Sequence, residues 1–299
     1  FATDDFFGPK ERMLDPAPPI FAEGRYDDHG KWMDGWESRR KRVEGFDHAV
    51  IALGLRGVAR RVDIDTSFFT GNYPPKARLW GADGEDGDWF DLTGEIALKG
   101  DSHNLVRIAD PKPVTRLKLD IVPDGGVARL RVYGEILPDW TRAGDGPIDL
   151  AALVNGAMPV QWNDSHYGAP QSLLAPGRGV DMGDGWETRR RREPGHDWCI
   201  IRLGAPGTVE RIQIDTAHFK GNFPDTCSLQ AALLDSDSIP SDFAAASQDW
   251  PLLLDKTPLT ADAIHDFDAR PAGPVSHVRL NIFPDGGVSR LRLFGRRAP

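Results

Sequence analysis

Several features that define other protein classes are scarce or missing in this chain of 299 residues. No apolar run approaches the roughly 20 residues that a membrane-spanning helix needs, so no membrane segment is predicted. Lys and Arg number 36 against 45 for Asp and Glu, and the net charge of -9 argues against a general nucleic-acid or anionic-membrane binder. The two cysteines, Cys199 and Cys227, are interpreted as reduced, buried thiols of a cytoplasmic protein. No signal peptide is recognisable, and the chain begins at Phe1 without a Met, so a leader missing from the sequence stays open.

Sequence motifs of several large enzyme classes are also missing. There is no HExxH, no paired CxxC, no phosphate-binding P-loop, no GxGxxG after a strand and no GxSxG-type elbow. His and carboxylate side chains that could bind a metal show no diagnostic spacing. No cofactor is therefore firmly implied, and a divalent metal stays open.

Glycine and proline are abundant instead, with 32 and 24 residues, and they follow no collagen-like period. Such a composition favours many turns and therefore many short strands. Apolar residues make up 40% and charged residues 27%, as in an ordinary soluble globular protein. A chain of 299 residues suits two domains, each large enough for its own core.

The strongest signal is an internal repeat. The segment Asp34–Pro74, with DGWESRRKR and IDTSFFTGN, recurs without a gap as Asp184–Pro224, with DGWETRRRR and IDTAHFKGN. The matched positions include Gly, Trp, Glu, Arg, Asp, Thr and Asn as well as apolar residues. Shared polar residues indicate a shared device or a recent duplication, because a merely shared fold would preserve only the apolar rhythm. The repeat predicts two domains, residues 1–143 and 144–299.

Short strands are predicted in both repeats. His48–Leu53 and Trp198–Leu203 are apolar runs bounded by Gly. Val62 and Ile64 then alternate with polar neighbours, which is the period of a half-buried strand.

Each repeat is predicted to close with a β-hairpin, Leu117–Gly134 in the first and Val278–Gly295 in the second, around the turn sequence Pro-Asp-Gly-Gly. The second repeat carries extra residues, placed in Ser236–Gln248, where a short helical turn is expected. The predicted fold class is therefore all-β, with two tandem jelly-roll β-sandwich domains.

The first candidate site is the DGWE[ST]RR segment, which supplies Glu37, Arg39 and Arg40 in one repeat and Glu187, Arg189 and Arg190 in the other. Alternate side chains of an extended chain share a face, so Glu37 and Arg39 are expected on one face and Trp36 and Arg40 on the other. Two guanidinium groups there would clamp a planar carboxylate or ureido group. The structural alternative is a solvated Glu–Arg pair beside a core Trp.

A second candidate is the strand end and loop that follow, with Asp65 and Asn72 in one repeat and Asp215, His218, Lys220 and Asn222 in the other. These residues place a carboxylate and an amide at the rim of a sheet, where sandwich domains carry their sites. The structural alternative is that Asp and Asn side chains cap turns through their own backbone.

A third observation is a patterned difference between the copies, in which Phe6, Phe46, Phe68 and Thr70 stand opposite His166, His196, His218 and Lys220. Imidazole groups can supply protons near neutral pH. The second repeat thus keeps the fuller set of ionisable groups, and the first is interpreted as a degraded or scaffolding copy.

DGWETRRRR, IDTAHFKGN, the MGDGWE lead-in, the ATDDFF opening segment and its counterpart NDSHYG resemble the allantoicase family over nearly the whole chain. The resemblance implies a duplicated jelly-roll fold similar to galactose-binding domains. It also implies a hydrolase of purine breakdown that converts allantoate and water to ureidoglycolate and urea.

Such a reaction needs a carboxylate anchor, a base for water and a proton donor for the leaving nitrogen. The anchor is assigned to Arg189 or Arg190, the base to Asp215 or Glu187, and the acid to His218 or His196. Asn222 is expected to bind a ureido group, and the further substrate-binding residues are Lys220, Glu37, Arg39, Arg40, Asp65 and Asn72. The second repeat is favoured for catalysis, the alternative being that both copies keep these residues for folding around a site between the domains.

The competing function is a non-catalytic tandem jelly-roll module that binds a small polar or sugar ligand, for which nine Trp could furnish stacking platforms. A scaffold assembled through the repeats is a third hypothesis. The expected partners are the substrate allantoate and other copies of the chain in a homo-oligomer, with neither nucleic acid nor membrane.

Overall fold

The computed structural model describes residues 1–143, 146–234 and 242–298, with only the backbone at 142–143. They form two compact units, Phe1–Leu137 and Pro138–Pro299, which are called the first and second repeat below. The predicted boundary between residues 143 and 144 lies a few residues after this division. No helix in the described ranges is long and apolar enough to cross a membrane.

The first repeat contains a 3-10 helix at Lys10–Leu14 and a succession of strands. Their bounds are β1 Tyr26–Asp27, β2 Gly30–Lys31, β3 Trp36–Glu37, β4 Asp47–Asp65, β5 Lys76–Ala82, β6 Phe90–Ala97, β7 His103–Arg107, β8 Pro113–Val122, β9 Gly126–Val127 and β10 Arg129–Ile136.

The second repeat lacks the β1–β2 pair and begins with two other strands, β11 and β12, and from β13 onward it follows the order of the first. Its strands are β11 Ile148–Asp149, β12 Met158–Trp162, β13 Trp186–Glu187, β14 Asp197–Asp215, β15 Thr226–Ala232, β16 Leu252–Pro258, β17 Ile264–Asp268, β18 Val275–Phe283, β19 Gly287–Val288 and β20 Arg290–Arg297. Its 3-10 helices are Trp140–Ala143, Leu153–Asn155, Pro170–Leu174, Met182–Asp184 and Ser247–Asp249.

The helical turn predicted within Ser236–Gln248 is confirmed as α1, Phe243–Ala246. It begins at Asp242, whose carboxylate accepts a hydrogen bond from the backbone N–H of Ala244 at 2.9 Å, as an N-cap residue does. The part of the predicted loop before residue 242 lies outside the described residues.

One long strand, β4 or β14, carries much of the strand pairing in each repeat. In the first repeat, β4 pairs with β8 near its start, where Asp47 faces Ile121, and with β10 near its end, where Asp65 faces Arg129. A register shift between Ala52 and Gly57 interrupts the pairing of β4 with β8. The prediction of two successive strands is therefore wrong in detail, because the apolar run and the alternating run are halves of one bent strand. The all-β, two-sandwich prediction is confirmed.

The closing hairpin is the clearest error of the sequence prediction. β8 pairs with β4 and β5, β10 pairs with β4, and the segment between them pairs with β3 through β9. The second repeat repeats this arrangement, with β18 and β20 both on β14 and β19 on β13. The Pro-Asp-Gly-Gly segment thus connects two strands that do not pair with each other, because each of them pairs with β4.

Each repeat has its own core, in which Trp36 and Trp186 are fully buried. Both indole N–H groups donate to the opening segment, Trp36 to the Asp4 carbonyl at 2.8 Å and Trp186 to the Asp164 carbonyl at 3.0 Å. Each buried Trp therefore fixes both the core and the segment that precedes β3 or β13. The prediction of two buried free thiols is confirmed, and burial raises the pKa of Cys227 to about 12.

Candidate functional site

A Glu–Asn pair lies beside β3 in the first repeat. The Asn72 side-chain amide donates to Glu37 Oε1 at 2.7 Å. Gly126 of β9 pairs with Glu37, and its N–H donates to the Asn72 carbonyl at 2.7 Å. A Cβ at Gly126 would lie 1.9 Å from the ring of Phe69, so glycine is required for this close approach. Strand pairing and loop together set the position of the Glu37 carboxylate.

The second repeat contains the same Glu–Asn–Gly arrangement, which is called the Glu–Asn–Gly device below. Asn222 donates to Glu187 Oε1 at 2.5 Å, and the N–H of Gly287 donates to the Asn222 carbonyl at 2.8 Å. A Cβ at Gly287 would lie 2.0 Å from the Phe219 ring. The polar residues shared by the two repeats therefore form the same local structure.

The two aspartates of the strand ends make local hydrogen bonds, and their predicted roles toward the substrate stay predictions. Asp65 accepts from the N–H and the hydroxyl of Ser67 at 2.8 and 2.6 Å, and Asp215 accepts from the Ala217 N–H at 2.8 Å. Both carboxylates are buried. They stabilise the turn that follows their strands, as the structural alternative for these residues expects.

The surroundings of Glu37 shift the pKa of its carboxyl group. Its partial burial raises its pKa above the ordinary value, and the hydrogen bond from Asn72 opposes that shift. A carboxylate with a raised pKa is a stronger base than an exposed one, which suits proton transfer.

Glu37 lies between two lobes of a surface cavity, which share Phe7, Glu37, Gly71 and Asn72. The first, called the Arg40 lobe, has a volume of about 400 Å³ and is also lined by Ser38, Arg40, Tyr73, Pro75, Pro123, Asp124 and Gly125. The second, called the hairpin lobe, has about 420 Å³ and is also lined by His29, Gly30, Lys31, Met33, Phe68 and Thr70. A small substrate with several polar arms could thus contact Glu37 from either side.

The arginines after β3 do not divide as predicted. The Arg39 Nε donates to Asp4 at 2.7 Å, whereas Arg40 lines the cavity with Glu37 and has no hydrogen-bond or ionic partner among the described residues. The expectation that Trp36 and Arg40 share a face is wrong, because Trp36 is fully buried whereas Arg40 is exposed and lines the cavity, and β3 ends at Glu37. In the second repeat Arg189 is likewise held by Asp164, at 3.0 Å.

The surroundings of Glu187 differ from those of Glu37. The Met182 sulfur lies 3.9 Å from the Asn222 amide, and Arg178 pairs with Asp215 at 3.0 Å. His218 Nε2 lies 2.8 Å from the Gly179 carbonyl. The segment 178–182 thus contacts Asp215, His218 and Asn222, three residues that the sequence predicts at the substrate site.

The second repeat instead carries a basic cavity of about 480 Å³ after β13, lined by Arg189, Arg190, Arg191, Arg192, Asn163, Asp164, Glu193 and Asp197. Within the part of the chain that the structure describes, Arg190 has no ionic partner, as Arg40 has none, while Arg191 pairs with Asp197 at 2.5 Å. Neither Glu187 nor Asn222 lines this cavity.

The predicted histidines have hydrogen-bond partners other than Glu187 and Asn222. His196 Nε2 lies 3.1 Å from the side-chain oxygen Oδ1 of Asn281, and its ring centroid is 4.5 Å from that of Phe283. Burial lowers the pKa of His196. Lys220 is exposed. Across the described ranges no hydrogen bond joins His196, His218 or Lys220 to Glu187.

Sequence reasoning missed the residues that the β1–β2 hairpin brings to Glu37, His29 and Lys31 above all. The hairpin has no counterpart in the second repeat, so a position-by-position comparison of the copies passed over it. The available signal was the extra length of the segment before DGWE together with its Asp-His-Gly turn.

No group of three or more His, Cys, Asp or Glu side chains in residues 1–143, 146–234 and 242–298 is arranged to hold a metal ion.

Comparisons with known proteins identify the family. The family model "Allantoicase repeat" matches residues 1–137 and 148–298. The chain is 52% identical over 307 residues to "Probable allantoicase 2" of Burkholderia pseudomallei, covering 100% of this chain and 91% of that protein. It is 53% identical over 303 residues to "Probable allantoicase" of Stutzerimonas stutzeri, covering 98% and 91%.

A solved structure agrees with these sequence matches. The crystal structure of allantoicase from Saccharomyces cerevisiae is similar with a TM-score of 0.82 and 35% identity, covering 99% of this chain and 89% of that one. The resemblance inferred from the DGWE and IDT motifs is thereby confirmed. The chain belongs to the allantoicase family, and each of its halves is an allantoicase repeat.

Proposed function

We propose that the two-lobed cavity around Glu37 and Asn72 is the active site of this chain. As a member of the allantoicase family, the chain hydrolyses allantoate to ureidoglycolate and urea, a step of purine degradation. The observation that carries the assignment of the site is a partly buried carboxylate of raised pKa beside an arginine without a partner among the described residues.

The reaction replaces one ureido group of allantoate by a hydroxyl. The bond between the central carbon and one ureido nitrogen breaks, and its electron pair stays on the nitrogen, which must gain a proton to leave as urea. A water oxygen bonds to the same carbon and loses a proton to a base. Glu37 is that base in our proposal, because its raised pKa strengthens the carboxylate as a proton acceptor.

The neighbouring polar groups bind the rest of the substrate. Arg40 can bind the allantoate carboxylate through two parallel N–H groups, because its guanidinium forms no ion pair with a carboxylate of the described residues. Asn72 holds Glu37 through its amide N–H group. Its side-chain carbonyl oxygen remains to accept a hydrogen bond from a ureido N–H.

Catalysis is thereby assigned to the first repeat, against the preference drawn from the sequence. Glu187 and Asn222 keep the device, but Met182 contacts Asn222 there, and Asp215 is paired with Arg178. The roles predicted for His196, His218, Lys220, Arg189 and Arg190 stay predictions, as do a homo-oligomeric state and a cytoplasmic location. Membership of an enzyme family decides against the binding-module and scaffold hypotheses.

The test is urea release from allantoate by matched variants. Glu37→Gln keeps the shape of the side chain but removes the base, so kcat should fall by about 10²–10⁴-fold. Glu187→Gln should retain most of the activity. In the wild type, kcat/KM should fall as the pH drops through a value above the ordinary 4.5 of Glu, because the base must be ionised. A loss confined to Glu187→Gln would move the site to the second repeat.

A further inference from the structure

The β1–β2 hairpin places one imidazole at the cavity of Glu37. Tyr26 pairs with Lys31 across the hairpin. His29 lies in the turn of the hairpin, where its backbone N–H donates to Asp27 Oδ1 at 2.9 Å. The His29 side chain lines the hairpin lobe together with Glu37. It is also exposed to solvent, so it can exchange a proton with water between turnovers.

A chain of contacts fixes the ring of His29. The Phe6 ring meets it edge to face, with centroids 4.4 Å apart. The Arg39 guanidinium lies 5.0 Å from the centroid of Phe6, and Asp4 binds that guanidinium at 2.7 Å. Arg39 is thus a positioning residue, which supports the Phe6 ring and through it the ring of His29.

We propose that His29 is the general acid that protonates the leaving nitrogen of allantoate. This inference rests on the proposed function, in which Glu37 takes the proton of the attacking water. Protonated His29 donates its proton to the ureido nitrogen as the carbon–nitrogen bond breaks, so urea leaves neutral. The water oxygen forms the new carbon–oxygen bond, and His29 regains a proton from solvent.

Lys31, the other cation of the hairpin lobe, suits this role less well. Its ammonium lies 4.9 Å over the ring of Phe21. An ammonium group is also a weaker acid than an imidazolium near neutral pH. Lys31 is better placed to add positive charge to the lobe than to give up a proton.

The second repeat lacks this arrangement. Arg189 is still held by Asp164, but His166 stands in the place of Phe6, and its ring packs on Tyr167 with centroids 4.3 Å apart. The segment before Glu187 forms the 3-10 helix Met182–Asp184 instead of a hairpin. The proton donor therefore belongs to the insertion of the first repeat and not to the aromatic-to-His exchanges of the second.

The experiment compares His29→Ala with His166→Ala in the intact chain. His29→Ala should lose about 10²–10⁴-fold in kcat with KM changed only slightly, because the acid acts in the transition state. Imidazole added to the buffer should restore part of the rate, because it can supply the missing proton donor. His166→Ala should behave as the wild type in all three measurements. Full activity of His29→Ala would overturn the assignment.

Glu37→Gln, measured alongside, separates the two proposals. Loss of activity in Glu37→Gln with full activity in His29→Ala would remove His29 and leave the proposed active site standing. Full activity in both variants would remove the cavity itself. Phe6→Leu should lower kcat by a smaller factor than His29→Ala without changing KM, since the ring of His29 would remain but lose its edge-to-face partner.

Discussion

The two repeats share a Glu–Asn–Gly device but surround it differently. In the first repeat Glu37 borders an open, two-lobed cavity with Arg40 on one side and a hairpin on the other. In the second, Met182 lies against Asn222 beside Glu187. A duplicated local structure therefore need not mean a duplicated function, because the substrate meets the loops around the device as well as the device itself.

The largest of the remaining expected effects concerns Arg40 and Arg190, which have no ionic partner among the described residues. Arg40→Ala should lower kcat/KM for allantoate by tenfold to a hundredfold, since a charge-assisted bidentate pair contributes about 1.5–3 kcal/mol. Arg190→Ala should change it little, because Arg190 does not line the cavity of Glu37. Steady-state kinetics of both variants decide the point. Equal losses would mean that both copies bind substrate.

Gly126 and Gly287 offer a comparison in stability. Alanine at either position drives a methyl group into a buried phenylalanine ring, Phe69 or Phe219, and should lower the free energy of unfolding of its own repeat by about 1–3 kcal/mol. Only Gly126→Ala should also reduce activity in the cold, where both variants stay folded. Denaturant titration and urea release at the same temperature test this. Equal activity of the two variants would argue against an active site next to Gly126.

The smallest effect is a pH dependence that the second repeat lacks. His103 Nδ1 lies 2.7 Å from Asp63, and this hydrogen bond, with the charge of Asp65, raises the pKa of His103. The stabilisation is complete below the unfolded pKa of about 6.5 and is lost as the pH rises through the higher folded value. In the second repeat Gln213 stands in the place of Asp63.

Solvent screens this pair, because the His103 side chain is 62% exposed. The unfolding free energy of the wild type should therefore exceed that of His103→Gln by a small margin at about pH 6, and the margin should close at alkaline pH. A margin that grows with pH would contradict the assignment of the pair. Denaturant unfolding followed at several pH values is the measurement.

The internal repeat and the alternation of apolar with polar residues could be recognised from the sequence alone. Val62 and Ile64 are buried as their alternation with polar neighbours predicts, and Trp36 and Trp186 are core residues. Burial of alternate side chains is a local property of a strand, so a period of two in the sequence suffices to predict it. The Pro-Asp-Gly-Gly segment shows the limit. Its residue types are typical of a turn. The flanking strands, however, pair with β4, which lies far away in the sequence, and not with each other.

The sequence by itself determined the family, the duplication, the all-β class and the residue types available for catalysis. Only the tertiary structure decided that Asn72 binds Glu37, that Arg39 binds Asp4 and that Arg40 lines the cavity. Hydrogen-bond partners and burial, and with them the raised pKa of Glu37, come from segments that are distant in the chain. His29 lines the cavity of Glu37 for the same reason. The fold brings the β1–β2 hairpin, which has no counterpart in the second repeat, beside a Glu that both repeats share.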